Sequence, residues 1–380
     1  MKKHILIATG LAVLSTSAFA SKARMEALGQ NAERGSKYFG DDRNVFHNPA
    51  HLNNMKNYVV TEWGTAAAND TTAAPSAEGG FYREMGSFAY GVHLGSLVGA
   101  HNTERTAADA NFLSRDNGLD LMFAGDAGVQ WCARVHYSNS KDETGQTHER
   151  KNGALGLGLG IIMGDLEVYA NLDIKDESEG TVATSNAKWE ADMGIHAGAS
   201  YGWNGWTFYG SYDKSGAEYN DGTNAAYNPD DRTALKLGFG RIHEVSNTAR
   251  VYTDLTYSSS KTETKTSSTS ATLETKTNEL PLNVGFEVDA TSWLVLRGSI
   301  SQPIVINNTE VSGNATAINN GKQVQSNQTD VAAGATLNFG KLKVDGVVGT
   351  SGNAGTANSG ETGTLSLDRL MTRVAVHYWF

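Results

Sequence analysis

The chain of 380 residues has one cysteine, Cys132, and only five prolines. A lone thiol cannot close an internal disulfide, so the fold does not depend on one. Scarce proline excludes a proline-rich disordered chain and suits long, regular strands. After residue 20, no run approaches the ~20 consecutive apolar residues of a transmembrane helix. Basic residues are the minority, 31 Lys and Arg against 41 Asp and Glu for a net charge of −10. That balance gives no cationic footprint for nucleic acid, and no nucleic-acid partner is expected.

The first twenty residues carry a signal of their own. Lys2 and Lys3 precede the apolar run Ile5–Leu14, and Ala18-Phe19-Ala20 offers small residues at a cleavage site. The pattern predicts a secretory signal peptide over 1–20, removed on export. An exported chain without a helical span points to the outer membrane of a Gram-negative cell, because only helices and closed barrels satisfy the backbone in lipid.

The stretch Asn152–Asp176 shows how such a chain would cross. Leu155, Leu157, Leu159 and Ile161 alternate with Ala154, Gly156, Gly158 and Gly160. A turn follows at Gly164-Asp165, and Leu166, Val168, Ala170, Leu172 and Ile174 then alternate with Glu167, Tyr169, Asn171, Asp173 and Lys175. Side chains of a strand alternate between faces, so one face is apolar and the other small or charged. Each arm reaches the roughly 9–11 residues that a tilted strand needs to span a bilayer.

The same reading predicts an all-β fold, a transmembrane antiparallel up-and-down β-barrel over 57–380. It has about 14 strands by the alternation rule, near 57–65, 86–98, 127–140, 150–163, 166–178, 188–202, 206–217, 233–243, 248–261, 277–290, 293–306, 328–339, 341–351 and 367–380. Short turns alternate with long polar loops, which places the short turns at the periplasm. Trp203, Trp206, Trp293, Phe339 and Trp379 gather at the short-turn ends, where an aromatic girdle is expected. Val374, Val376, Tyr378 and Phe380 share one parity of the last strand. Tyr378 and the terminal Phe380 resemble the assembly signal of bacterial outer-membrane barrels, so the barrel assembly machinery is an expected partner, with outer-membrane lipid and lipopolysaccharide around the wall.

Residues 21–56 lack alternation and are expected outside the wall, as a plug or as a disordered leader. Gly99–Asp126 is too long for a periplasmic turn. Its Leu119–Phe123 reads as strand, and Gly125, Asp126 and Gly128 mark either a bulge or kink in that strand or an ordinary loop.

Inward parity assigns the lumen the charges Arg134, Glu167, Asp173, Glu190, Asp192, Arg250, Asp254, Glu287, Arg297 and Arg373. These would line an ion-selective constriction, dock a plug, or satisfy one another as a solvated network. No catalytic constellation is legible, so enzymatic activity is not expected. No cofactor and no metal are expected either. His47 and His51 stand four apart, but Pro49 between them breaks the helix that would aim both at one ion. The glycines at 156, 158 and 160 lie inside a strand and open no helix, so they read as small inward residues rather than a nucleotide loop.

The segment Asp41-Asp42-Arg43-Asn44-Val45-Phe46-His47-Asn48-Pro49-Ala50-His51-Leu52 precedes the first strand. Its Asn-Pro-Ala, with acidic residues and Asn-Val before it, resembles the hatch of the FadL family of outer-membrane transporters of long-chain fatty acids and other hydrophobic compounds. The resemblance implies a fourteen-stranded barrel, a lumen plugged by a hatch at Asn48, Pro49 and Ala50, and a lateral opening at a third-strand kink, here Gly125, Asp126 and Gly128. It implies passive uptake of a hydrophobic, fatty-acid-like ligand. The loops depart from the family, being mostly short and rich in Thr, Ser, Asn and Asp. A general diffusion porin and a structural or adhesive barrel without transport are the alternatives.

Overall fold

A computed structural model describes residues 21–55, 57–64, 77–109, 111–143, 149–182, 185–313, 320–324, 329–351 and 373–380. The expected signal peptide, 1–20, lies outside the described residues.

The chain is an all-β antiparallel closed barrel. Its strands are β1 (Tyr58–Gly64), β2 (Glu78–Met85), β3 (Phe88–Leu94), β4 (Leu119–Asp126), β5 (Gln130–Asp142) and β6 (Arg150–Met163). The wall continues with β7 (Leu166–Val182), β8 (Ser185–Ala191), β9 (Gly194–Trp203), β10 (Trp206–Asn220), β11 (Tyr227–Ser246) and β12 (Ala249–Thr264). It ends with β13 (Leu273–Asp289), β14 (Leu294–Ser312), β15 (Gly321–Val324), β16 (Asp330–Phe339), β17 (Leu342–Ser351) and β18 (Arg373–Trp379). Both β8 and β9 lie between β7 and β10, and both β15 and β16 pair with β14. These segments are therefore halves of interrupted strands, and the wall has 16. Tyr58 opposite Trp379 closes the ring between β1 and β18.

The count corrects the expected fourteen, and the two additions are β2 and β4. Each is eight residues long, and the inward positions mix polar or small groups such as Glu78, Gly80 and Asp120 with the larger Tyr82 and Met122. In the sequence β2 reads as polar loop, whereas the Leu119–Phe123 run of β4 reads as strand but merges with the strand that follows. With them in place, 95–118 joins β3 to β4 at the long-loop end, which removes the difficulty of an oversized turn.

Leu121, Phe123, Leu159, Ile161, Phe208 and Leu237 stand exposed on the outer face. His93, Arg134, Glu287 and Arg297, also on wall strands, are buried inside. An apolar exterior around a polar interior inverts a soluble core and suits a lipid surround. Trp203, Trp293 and Phe339 are exposed near the short turns. Trp379 departs from the expected girdle: it takes the inward parity and stacks on Tyr58 at 5.7 Å between ring centroids.

Candidate functional site: the plugged lumen

The core of the molecule is the N-terminal segment packed against the inner wall. It begins with α1 (Lys22–Ala27), capped by Ser21, whose Oγ accepts from the Arg24 amide at 3.4 Å. Two short 3-10 helices follow, Asp42–Phe46 and Pro49–Asn54. Met25, Leu28, Tyr38 and Phe39 pack with Tyr209 and Tyr252 of the wall. Val45, Phe46, Leu52 and Met55 pack with Tyr58, Tyr82 and Met122. Apolar burial supplies the non-directional part of the docking.

Charge fixes the register. Arg24 donates to Asp41 within the plug at 3.0 Å and to Glu287 of the wall at 2.9 Å. Arg43 meets Glu78 at 2.5 Å, and Lys22 approaches the same carboxylate at 3.2 Å. Arg373 of β18 reaches Glu26 at 2.7 Å. The wall carries partners of its own, with Arg297 between Glu287 and Asp345. Burial raises the plug's Asp41 carboxyl to about 6 against the opposing pull of Arg24, and it raises Asp42 well above the usual range, with Asp41 adding to the shift. Burial also holds the Lys37 ammonium down to about 8 and the His47 ring down to about 3.

Asn48, Pro49 and Ala50 sit against β6 and β7. Asn48 caps the second 3-10 helix: its Oδ1 accepts from the Ala50 amide at 3.1 Å, and its Nδ2 donates to Glu167 at 3.0 Å. Pro49 fills the first helical position, where its missing N–H costs nothing. The glycines of β6 explain the close approach. A Cβ at Gly158 would lie 3.1 Å from the Pro49 ring, and one at Gly160 would lie 2.8 Å from the Ala50 nitrogen. Pro49 therefore starts a turn rather than breaking one. The turn brings His51 Nε2 within 2.9 Å of Glu167 Oε2, with His47 beside them. The sequence reading missed this grouping because Glu167 is 116 positions from His51.

The expected lumen charges divide. Arg134, Glu287 and Arg297 are buried inside, while Asp173, Arg250, Asp254, Glu167 and Arg373 are part-exposed to the lumen or to the plug. Glu190 is a correction: Ala187 and Trp189 take the inward positions of β8, and Glu190 turns outward to Lys188 at 2.7 Å. Asp192 lies in the interruption between β8 and β9 and is exposed. Inward parity is odd in β8 and even in β9, so one parity could not serve both halves.

The lateral opening is also corrected. Gly125 pairs with Phe88 on one side and Trp131 on the other, and Asp126 pairs with Gln130. Residues 127–129 form the hairpin turn, where Asp126 Oδ1 accepts from the Gly128 amide at 2.9 Å and Gly128 has φ +86. The wall is closed at this point; the glycines serve a turn at the short-turn end.

Between plug and long-loop end, 95–118 folds inward. It carries α2 (Asn102–Ala108), whose Arg105 pairs with Asp176 of β7 and lies 4.7 Å over the Trp189 ring. Phe112 joins Trp189, Ala217 and Tyr219 in an apolar cluster, with Tyr227 packed against it. Below this cap is a cavity of about 290 Å³, lined among others by Arg34, Lys37, Arg232, Lys236, Asp173 and Asp213.

No protein-family model and no curated protein matches the chain. Among solved structures, a TodX deltaS2S3 mutant monoaromatic hydrocarbon channel is 11% identical over 94% of this chain and 98% of that one, with a TM-score of 0.37. A porin is 12% identical over 86% and 99% of the two chains, with a TM-score of 0.39. OmpT, an outer membrane protein of Vibrio cholerae, is 11% identical over 85% and 96%, with a TM-score of 0.33. The architecture is the outer-membrane β-barrel type. That statement rests on the closed ladder and the apolar exterior, and likenesses this remote say nothing of cargo.

Proposed function

We propose that this chain is an outer-membrane channel for passive uptake of small molecules, exported by a cleaved signal peptide and gated by its N-terminal plug. The observation that carries the reading is the cavity held between plug and inward-folded loop, lined by both cations and carboxylates. Such a lining would trade hydration for fixed charge, which suits a small polar or charged solute. Transport requires the plug to move, because its ion pairs and rings fill the passage below the cavity. No catalytic step belongs to this reading.

Uptake of a hydrophobic compound is the second reading. It is favoured by the docking of Asn48, Pro49 and Ala50, in keeping with the FadL-type hatch resemblance, and by the apolar cluster of Phe112, Trp189, Tyr219 and Tyr227 at the outer end. A closed ladder at Gly125 takes away the exit that reading first assigned.

The test is conductance in planar bilayers together with solute entry into liposomes. Intact protein should conduct poorly, and deletion of Ser21–Leu52 should raise conductance sharply. Small charged solutes should then enter faster than a hydrophobic tracer. Large, steady conductance of the intact protein would sink the plug-gated reading, and preferential tracer entry would favour the second one.

A further inference from the structure

Two donors from the plug and one from the wall converge at the seam between them. His47, His51 and Glu167 each offer a ligand atom, and the three atoms lie within 4.8 Å of one another. The His47 Nδ1 is 2.7 Å from the Arg34 carbonyl oxygen, which can only accept, so Nδ1 carries the proton and Nε2 keeps its lone pair. A backbone carbonyl fixing the second ring nitrogen is the usual support of a metal-binding histidine. Asn48 donates to Glu167 and orients its carboxylate, and Asn171 donates to the His47 carbonyl at 2.7 Å.

We propose that His47, His51 and Glu167 form a binding site for a borderline divalent cation of the Zn²⁺ class, which clasps the plug to β7. Two imidazoles and one carboxylate match that class, whereas Mg²⁺ and Ca²⁺ prefer all-oxygen shells. The separation of 2.9 Å between His51 Nε2 and Glu167 Oε2 lets both bind one ion at about 2 Å, and His47 offers a ring nitrogen within 4.8 Å of each. Side-chain exposure of 14% at His51 and 26% at Glu167 leaves an approach for the ion and room for water as a further ligand. An ion there joins plug to wall, so its binding favours the closed state by mass action. The site does not depend on which solute the channel carries.

The test uses the folded full-length protein in detergent, titrated with Zn²⁺ by calorimetry and compared with Mg²⁺. One saturable Zn²⁺ site is expected, with no Mg²⁺ uptake. His51→Gln and Glu167→Gln should each weaken binding by about tenfold or more, while His243→Gln on β11, away from the seam, should bind as wild type. Zn²⁺ should slow proteolysis of the plug in wild type but not in Glu167→Gln. Heat-modifiability on gels checks that each variant is folded. Should either seam variant not fold, X-ray absorption of the Zn²⁺-loaded wild type decides, with two imidazoles expected in an N/O shell. No saturable binding by folded wild type, binding indifferent to both seam substitutions, or a shell without imidazole would overturn the proposal.

Discussion

Arg24 Nε donates to Glu287 Oε2 at 2.9 Å, joining residues 263 positions apart and fastening α1 to β13. The same guanidinium reaches Asp41 at 3.0 Å and the Tyr252 hydroxyl at 3.3 Å, so one side chain ties the plug to itself and to the wall. Removing one partner of a buried pair leaves an uncompensated charge, which costs more than the pair contributes.

Arg24→Met should therefore loosen the plug by roughly 3–5 kcal/mol. The lower end of that range is expected, because Glu287 keeps Arg297 at 3.2 Å and Arg250 at 3.6 Å. Bilayer conductance and protease cleavage within 21–55 should both rise, with heat-modifiability of the barrel unchanged. A variant that stays as closed and as protected as wild type would show that the plug is held elsewhere.

Docking of the plug should also depend on pH. Asp42 lies within 3.5 Å of His377 and near Asp41 and Glu62, and its carboxyl is raised by burial and by Asp41. A raised folded pKa contributes stability that is full below the unfolded value and lost as pH rises through the folded one. Asp42, and Asp41 with its value of about 6, therefore favour docking as pH falls. His47, lowered to about 3, acts in the opposite sense, its contribution being lost as pH falls from 6.5. Conductance should then decline as pH falls from about 6 toward 3.8, two raised carboxyls outweighing one lowered imidazole, and Asp42→Asn should reduce the decline. A wild-type conductance that rises over that interval would contradict the assignment.

Much of the barrel was legible because alternation reports directly on which face meets lipid. Leu155, Leu159 and Ile161 are exposed outward while Gly158 and Gly160 face the plug, as a period of two requires. The reading failed where the period breaks. A register shift between Leu155 and Gly156 leaves Ile174 and Lys175 both outward, so Lys175 does not join Asp173 inside. The interruption before Gly194 does the same to Glu190. Short β2, with Gly79-Gly80 inside it, carries too little alternation to register, and β4 is legible at Leu119–Phe123 but the three-residue turn before Gln130 reads as an interruption of one strand rather than the end of it. The group formed by His47, His51 and Glu167 lay beyond sequence pattern altogether, since nothing local pairs a 3-10 turn with a strand more than a hundred residues on.

The closest test of the seam is a single methyl group. At Gly160 an added Cβ would meet the Asn48 side chain and stand 2.8 Å from the Ala50 nitrogen and 3.0 Å from the Pro49 nitrogen. The Asn48 side chain can rotate away, but the two backbone atoms cannot move without lifting the turn. Gly153, in the same strand, has nothing within 4 Å of such a Cβ. Gly160→Ala should therefore destabilise docking by about 1–3 kcal/mol, the usual cost of overpacking, and Gly153→Ala should not. The strand itself loses nothing, since alanine gives up less backbone entropy than glycine. Both variants should reach the membrane at wild-type levels, with raised conductance and plug cleavage in Gly160→Ala alone. If the two variants behave alike, Asn48, Pro49 and Ala50 do not rest on β6 in the closed state.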